Sequence, residues 1–301
     1  MTMNKLINFF QQNLNCLKSG ESLLLLDSNT ELHVKLSKAF NNLFNKDVEY
    51  FMANKSLTLF YPVISNVIIL VEGFYLDISG EICGEGKLDP FSIIEDNDAD
   101  WYDNYDKIVD FKKKEILSII EKTDIQKLNL VEHMSSTGVL ISYLKDQLVG
   151  IFKNYIATDL DFYALKELSE KDPDIICICC DATTSVFKEN TISIATSNSV
   201  HHVPDNTDNF YTNVYASLEF NGKYTGIESQ GFLAKIVIYT ISFMPKWLVP
   251  YAFKEIHTEQ YLLKSWNSIN LLNRLKIIPS TLIQTKKFLF HIGYSFTKTN
   301  E

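Results

Sequence analysis

Four apolar runs in the middle of the chain finish on, or just past, a polar residue. LNLVEH (128–133) carries Glu132, NYIATD (154–159) ends in Asp159, and DIICICCDA (174–182) delivers Asp181 and Ala182. ISIATSNSVHH (192–202) holds Asn198 and then the pair His201–His202. A carboxylate accepts hydrogen bonds from a cis-diol, and its charge strengthens them. A histidine near its solution pKa takes a proton from a hydroxyl or an amine. Quieter uses compete with these: Asp159 and Asp181 as caps of the helix or turn that follows, the histidines as one packed and one solvated ring.

Segments with helical spacing lie between these runs: Val139–Leu148, Phe162–Ser169 and Asn206–Leu218. A fifth run, KYTGIE (223–228), closes the stretch after a turn at Asn221-Gly222. Short buried strands alternating with helices predict parallel βαβ units and an α/β fold. Such sheets bind ligands at the carboxyl ends of their strands, where the strand order reverses, which is where Glu132, Asp159, Asp181 and Asn198 fall. Cys177, Cys179 and Cys180 share one run, and strand geometry sends them to both faces of the sheet.

Composition narrows the class. A hydrophobic content of 46% supports a sizeable core, and a formal charge of −9 argues against a nucleic-acid surface. The basic run Lys112–Lys114 reads as a solvated helix face. Five cysteines without a disulfide framework suit a reducing, cytoplasmic compartment and no metal. The N-terminus lacks the apolar core of a signal peptide. Gly231–Phe253 is broken by Lys235, Pro245, Lys246 and Pro250, so it predicts a buried or interfacial helix rather than stable membrane insertion.

The flanks divide the chain. Residues 1–80 read as a small α+β leader domain: an amphipathic helix over 1–18, a strand in SLLLLDS, a helix in LHVKLSKAFNNLF, then strands with turns at Asn54-Lys55 and Ser65-Asn66. Residues 81–106 are acidic, carry Gly84, Gly86 and Pro90, and form a linker with Trp101, Tyr102 and Tyr105 near its end. A helix follows from about Tyr105 to Lys122. Residues 107–301 make the main domain, with helical segments about 231–275 and a final strand in KKFLFHIGYSF (286–296).

NLVEHMSSTGVLISYLKD resembles the first strand, glycine loop and helix of class I S-adenosylmethionine-dependent methyltransferases, in particular their small-molecule, type-11-like group. Glu132 takes the acidic position and Gly138 the last glycine of G-x-G-x-G, while Met134 and Ser136 occupy the first two. NYIATDLDFYALKEL is similar to the second strand and helix, CCDATTSVF to the third strand, and ISIATSNSVHHVPDN to the fourth strand and its turn. LTLFYPVISNVIIL (57–70) resembles a metal-free remnant of the zinc-ribbon-like leader in that group. The resemblance implies a Rossmann-like sheet with helices on both faces and S-adenosylmethionine as cofactor. It places Asp159 on the ribose hydroxyls, Asp181 on the adenine amino group and the Ala182 N–H on the ring. Glu132, Ser136, Gly138 and Asn198 join them, and Tyr102 and Tyr105 serve as an aromatic lid. His201 and His202 become the catalytic candidates for O- or N-methylation of a small molecule in a specialised biosynthetic pathway, with the acceptor pocket in a cap about 231–275. Side chains at Met134 and Ser136 support an alternative, a non-catalytic protein on this fold acting as partner subunit or ligand-binding module. A homodimer or a partner protein stays open.

Overall fold

The structure is a computed structural model that describes residues 3–86, 88–92, 105–120, 128–198, 207–228, 240, 275, 278, 284–287 and 292–299. Apolar spacing sets the first element: Met3–Asn13 (α1) turns Leu6, Ile7, Phe9 and Phe10 inward, all buried. Leu23–Leu25 (β1) is a short edge strand. Glu31–Phe44 (α2) starts on Thr30, whose hydroxyl accepts from His33 N, and stops at Asn45 in the left-handed region. Tyr50–Asn54 (β2), Leu59–Ile64 (β3) and Val67–Leu70 (β4) follow as an antiparallel meander. Ser65 and Asn66 link β3 to β4 with φ of 51° and 61°, the two-residue turn whose twist suits a hairpin. Tyr75–Asp77 (β5) pairs with β3, and Ile82–Cys83 (β6) with β5, inside the span expected to be linker.

The second part alternates as its spacing predicts. It runs through Tyr105–Ile120 (α3), Asn129–His133 (β7), Val139–Gln147 (α4), Asn154–Asp159 (β8), Phe162–Lys171 (α5), Ile175–Cys180 (β9) and Ile192–Asn198 (β10). Thr207–Ser217 (α6), Leu218–Glu228 (β11), Gln284–Lys287 (β12) and Ile292–Thr297 (β13) complete it. One sheet joins everything in the order β1-β2-β3-β4-β9-β8-β7-β10-β11-β13-β12. Strands β4, β9, β8, β7, β10 and β11 pair in parallel, while β13 is antiparallel to β11. The chain goes β7, β8, β9 in one direction and then crosses to β10, so the order reverses between β7 and β10. Helices cover both faces, and the fold is Rossmann-like.

Two cores flank the sheet. One gathers α1 and α6 against Val131, Ile156 and Cys180; the other gathers α2, α4 and α5 against Leu130, Ala157, Cys177 and Cys179. The cysteines therefore do divide between the faces. The strands of residues 1–80 add to the same sheet through β4 and β9, in the register Val67↔Cys177 to Leu70↔Cys180. Where β9 returns to β10, no helix lies between Asp181 and Thr191. There α1 covers the face, with Asn15 N bonded to Val186 O and Lys188 Nζ to Gln11 O.

Three expectations change. The run 286–296 is not one strand: β12 and β13 pair antiparallel, with Lys287 opposite Ile292. Asn221-Gly222 does not precede a strand but lies within β11, where the register to β10 slips and Asn221 takes φ 64°. Lys112 is not solvated; it is fully buried on α3. The segment about 231–275, with its aromatic residues, lies outside the described residues apart from Thr240 and Leu275.

A chain of buried hydroxyls braces the β10–β11–β13 side. Ser197 Oγ lies 2.5 Å from Tyr224 OH, Tyr224 OH 3.1 Å from Tyr294 OH, and Tyr294 OH 2.6 Å from Tyr211 OH. Gly226 makes room for it: a Cβ there would come within 2.4 Å of the Tyr294 ring.

Candidate active site

The site is built on the turn from β7 to α4. Met134, Ser136 and Gly138 have φ of 54°, 47° and 72°. These alternate left-handed positions are what a G-x-G-x-G loop is made for, since glycine alone enters that region without a steric cost. Here two of the three carry side chains, at a cost of about 1–2 kcal/mol each in backbone strain. The turn holds because its amides are committed. Ser135 N donates to Thr158 O at 3.0 Å, Ser136 N to Asp159 Oδ2 at 2.7 Å, and Gly138 N to Ser135 O at 2.8 Å. At Gly138 a Cβ would also strike Leu168 Cδ2 at 2.3 Å, so this glycine brings α4 against α5. Met134 is half-buried and packs toward the α1–α6 core.

The acidic residues stand at the tips of three adjacent parallel strands, each already engaged. Asp159 takes Ser136 N on one oxygen and Asp161 N on the other, at 2.7 and 3.0 Å. Burial raises its pKa, against the pull of the amides of Asp161, Ser136 and Leu160. Asp181 Oδ1 accepts both Thr183 N and Thr183 Oγ1 at 2.8 Å, the turn-capping arrangement anticipated for it. Glu132 turns to the start of α4. It is 2% exposed and accepts Ile141 N at 2.8 Å, closing the first turn of α4. Burial pushes its pKa up to about 8, while the charge of Lys112 and the Ile141 N–H pull it down.

Lys112 is the functional neighbour that sequence reading missed. From α3 it reaches the switch point, donating to Thr196 Oγ1 at 2.7 Å and to Ser197 O at 2.8 Å on β10. Its position was detectable: it lies four residues before Ile116 and next to Phe111, both buried, so it sits on the apolar stripe of α3. His133 was missed as well. It pairs in register with Ser197, bonds Thr158 Oγ1 through Nδ1 at 3.1 Å, and meets Phe210 and Phe187 edge-on. Burial lowers its pKa to about 4, which leaves it neutral.

Unsatisfied atoms mark where this edge opens. Of the seven buried side-chain atoms without a hydrogen-bond partner among the described residues, His133 Nε2, Ser135 Oγ and Asn198 Oδ1 lie at the adjoining ends of β7 and β10. Buried polar groups are nearly always paired, so a cluster of orphans points to a bound polar partner. His201, His202 and Tyr102 lie outside the described residues; Tyr105 opens α3. No three His, Cys, Asp or Glu side chains gather as a metal site among the described residues. No described helix is long and apolar enough to cross a membrane.

Comparison with known proteins follows the same lines. Residues 134–225 match a family described as "Methyltransferase domain". No curated protein matches. Among solved structures, the chain is similar to an S-adenosylmethionine-dependent methyltransferase from Aquifex aeolicus, with 11% identity over 70% of this chain and 99% of that one, TM-score 0.44. It is also similar to a TehB-like methyltransferase from Corynebacterium glutamicum, with 13% identity over 60% and 86%, TM-score 0.41. Similarity to the CurJ carbon methyltransferase is 15% over 62% of this chain and 52% of that one, TM-score 0.44, so the match spans about half of that chain.

Proposed function

We propose, from residues 134–225 belonging to the methyltransferase-domain family, that this protein transfers a methyl group from S-adenosylmethionine to an oxygen or nitrogen of a small organic acceptor. The observation that carries this reading is the loop itself. Left-handed backbone at 134, 136 and 138 persists although only the last is glycine, and the Ser136 amide is fastened to Asp159 at the next strand tip. Backbone strain of this kind concentrates at ligand clamps and active sites.

The described residues fit such a cofactor. Asp159 is half-buried and each of its oxygens holds one amide, whereas a carboxylate offers about four acceptor positions. It would take the ribose hydroxyls. Asp181 and the Ala182 N–H would meet the adenine, and Asn198 Oδ1 and Ser135 Oγ would gain partners they lack. The cofactor supplies a methyl on a sulfonium, and transfer depends chiefly on alignment. Lys112 and Glu132 fix the ends of β10 and α4 behind the site, and His201 or His202 would take the acceptor's proton.

Calorimetric titration with S-adenosylhomocysteine tests the binding half. Saturation at 100 times Kd stabilises the fold by about 2.7 kcal/mol, readable as a thermal shift. Conversion of methyl-labelled S-adenosylmethionine in the presence of a small-molecule extract tests the transfer half. Absence of any shift at millimolar ligand would favour the second reading, a non-catalytic protein on this fold, which the Met134 side chain at the first glycine position supports.

A further inference from the structure

The return from β9 to β10 carries Asp181 and Ala182, the residues set against the adenine under the proposed function, and it reaches Thr191 without a helix. A crossover of this kind has no ladder of its own, and each residue held in place loses conformational freedom. Its first turn closes locally. Thr183 N and Oγ1 donate to Asp181 Oδ1, both at 2.8 Å, and Thr184 N donates to Asp181 O at 2.9 Å. From α6, Asn213 Nδ2 donates to Thr183 O at 2.7 Å. The next stretch is held by the end of α1 and the residues just after it. Leu14 and Phe187 form an antiparallel bridge, with Asn15 N donating to Val186 O at 3.0 Å and Lys188 N to Asn13 O at 2.9 Å. Lys188 Nζ adds a bond to Gln11 O at 2.7 Å. Val186 and Phe187 share one core with Leu6, Phe10 and Leu14, and Ala182 packs against it.

We propose, on top of the S-adenosylmethionine reading of these strand tips, that residues 11–15 are a positioning segment for the nucleoside. They stand in for the missing crossover helix and fix the loop that presents Asp181 and the Ala182 N–H. A loop ordered beforehand spares the ligand the entropy of ordering it, so cutting the brace weakens binding. It also blunts selection. Asp181 accepts from the adenine amino group, whereas hypoxanthine would put a carbonyl oxygen against the carboxylate. A fixed Asp181 rejects that base, and a loosened one swings away from it. Coupling is reciprocal: a nucleoside that fixes the turn at 181–184 must also quieten the end of α1.

Hydrogen exchange of the full chain, followed by mass spectrometry with and without saturating S-adenosylhomocysteine, is the first arm of the test. Amides of residues 6–15 should exchange several-fold more slowly with the ligand, although they lie away from the strand tips. Calorimetry is the second arm, with S-adenosylhomocysteine and S-inosylhomocysteine as probes. Asn15→Pro removes the donor to Val186 O, and Lys188→Met removes the donor to Gln11 O. In the folded double variant, S-adenosylhomocysteine affinity should fall by about fivefold or more, the low end of such a coupling, and the preference over S-inosylhomocysteine should narrow. Lys188→Arg, which keeps a donor for Gln11 O, should bind as the parent does. An equal loss for both nucleosides marks a general loss of stability and overturns the proposal, as does unchanged exchange in α1. The parent's exchange decides even if the double variant fails to fold. A parent that binds neither nucleoside overturns the cofactor reading and this inference together. A parent that binds with α1 exchange unmoved overturns this inference alone.

Discussion

The backbone N–H of Ser136 donates to Asp159 Oδ2 at 2.7 Å, tying the turn after β7 to the tip of β8. One carboxylate thus does two things: it holds the loop shape and it keeps acceptor positions toward the site. Asp159→Ala is expected to cut S-adenosylhomocysteine affinity at least tenfold, since a hydrogen bond to a charged group contributes about 1.5–3 kcal/mol. The protein should stay folded, because Asp159 is only half-buried. Unchanged affinity by calorimetry would show that Asp159 serves the loop alone.

Met134→Gly relieves a left-handed residue. The strain released, about 1–2 kcal/mol, is offset in part by the greater freedom of glycine in the unfolded chain. Urea denaturation should find the variant within about 1 kcal/mol of the parent, and cofactor binding should strengthen. Weaker binding would mean that the Met134 side chain is part of the site.

Glu132 and His133 are sequence neighbours with opposite pH linkage. Glu132 has its pKa raised from 4.5 to about 8, so the native state keeps a proton that the unfolded state releases, and stability falls as pH rises through that window. His133 is lowered from 6.5 to about 4, so stability rises with pH over that span. The two slopes oppose each other between about pH 4.5 and 6.5, and only the decline from Glu132 acts from there to pH 8. Denaturation across pH should show that late decline in the parent protein and a flatter profile in Glu132→Gln.

Lys112→Met removes a buried charge and its bonds to Thr196 and Ser197, and it leaves Glu132 without the cation that lowers its pKa. Leaving Thr196 Oγ1 and Ser197 O buried without their donor costs about 1–3 kcal/mol each. Above about pH 8, where Glu132 carries its charge, adding Glu132→Gln should recover part of that loss, and a double-mutant cycle in urea reads the coupling. Strict additivity would mean that the two charges do not sense each other.

Gly226→Ala should destabilise by about 1–3 kcal/mol, because its methyl would meet the Tyr294 ring in a filled core. Thermal unfolding measures it, and Tyr294→Ala in the same chain should make the substitution tolerable.

Local periodicity carried much of this architecture. The spacing in 139–148, 162–169 and 206–218 gave α4, α5 and α6 to within two or three residues, and Ser65-Asn66 gave a hairpin. Failures came where a local signal was missing or had two meanings. Phe288 to His291 contain no turn residue, so nothing in them announced that the chain reverses between β12 and β13. Asn221-Gly222 has turn chemistry that a strand bulge uses equally well. Lys112 looked like one of three solvated lysines because its neighbours are charged, although its helical phase placed it with Ile116. Pairing of β4 with β9 is non-local and unreadable from either run alone, yet VIIL, apolar at every position and wholly buried, already suited an interior strand. At the site, the acidic strand tips were legible; the direction each carboxylate takes depends on which amide lies nearest, and that is a tertiary fact.

The shared ladder between Val67–Leu70 and Cys177–Cys180 has a practical corollary. A fragment trimmed to begin near residue 101 would bare the flank of a uniformly greasy strand, Ile175–Cys180, whose unpaired amides and carbonyls invite stacking with other copies. Expression of such a fragment should yield clumped material, so the leading residues act as this protein's built-in guard against self-association.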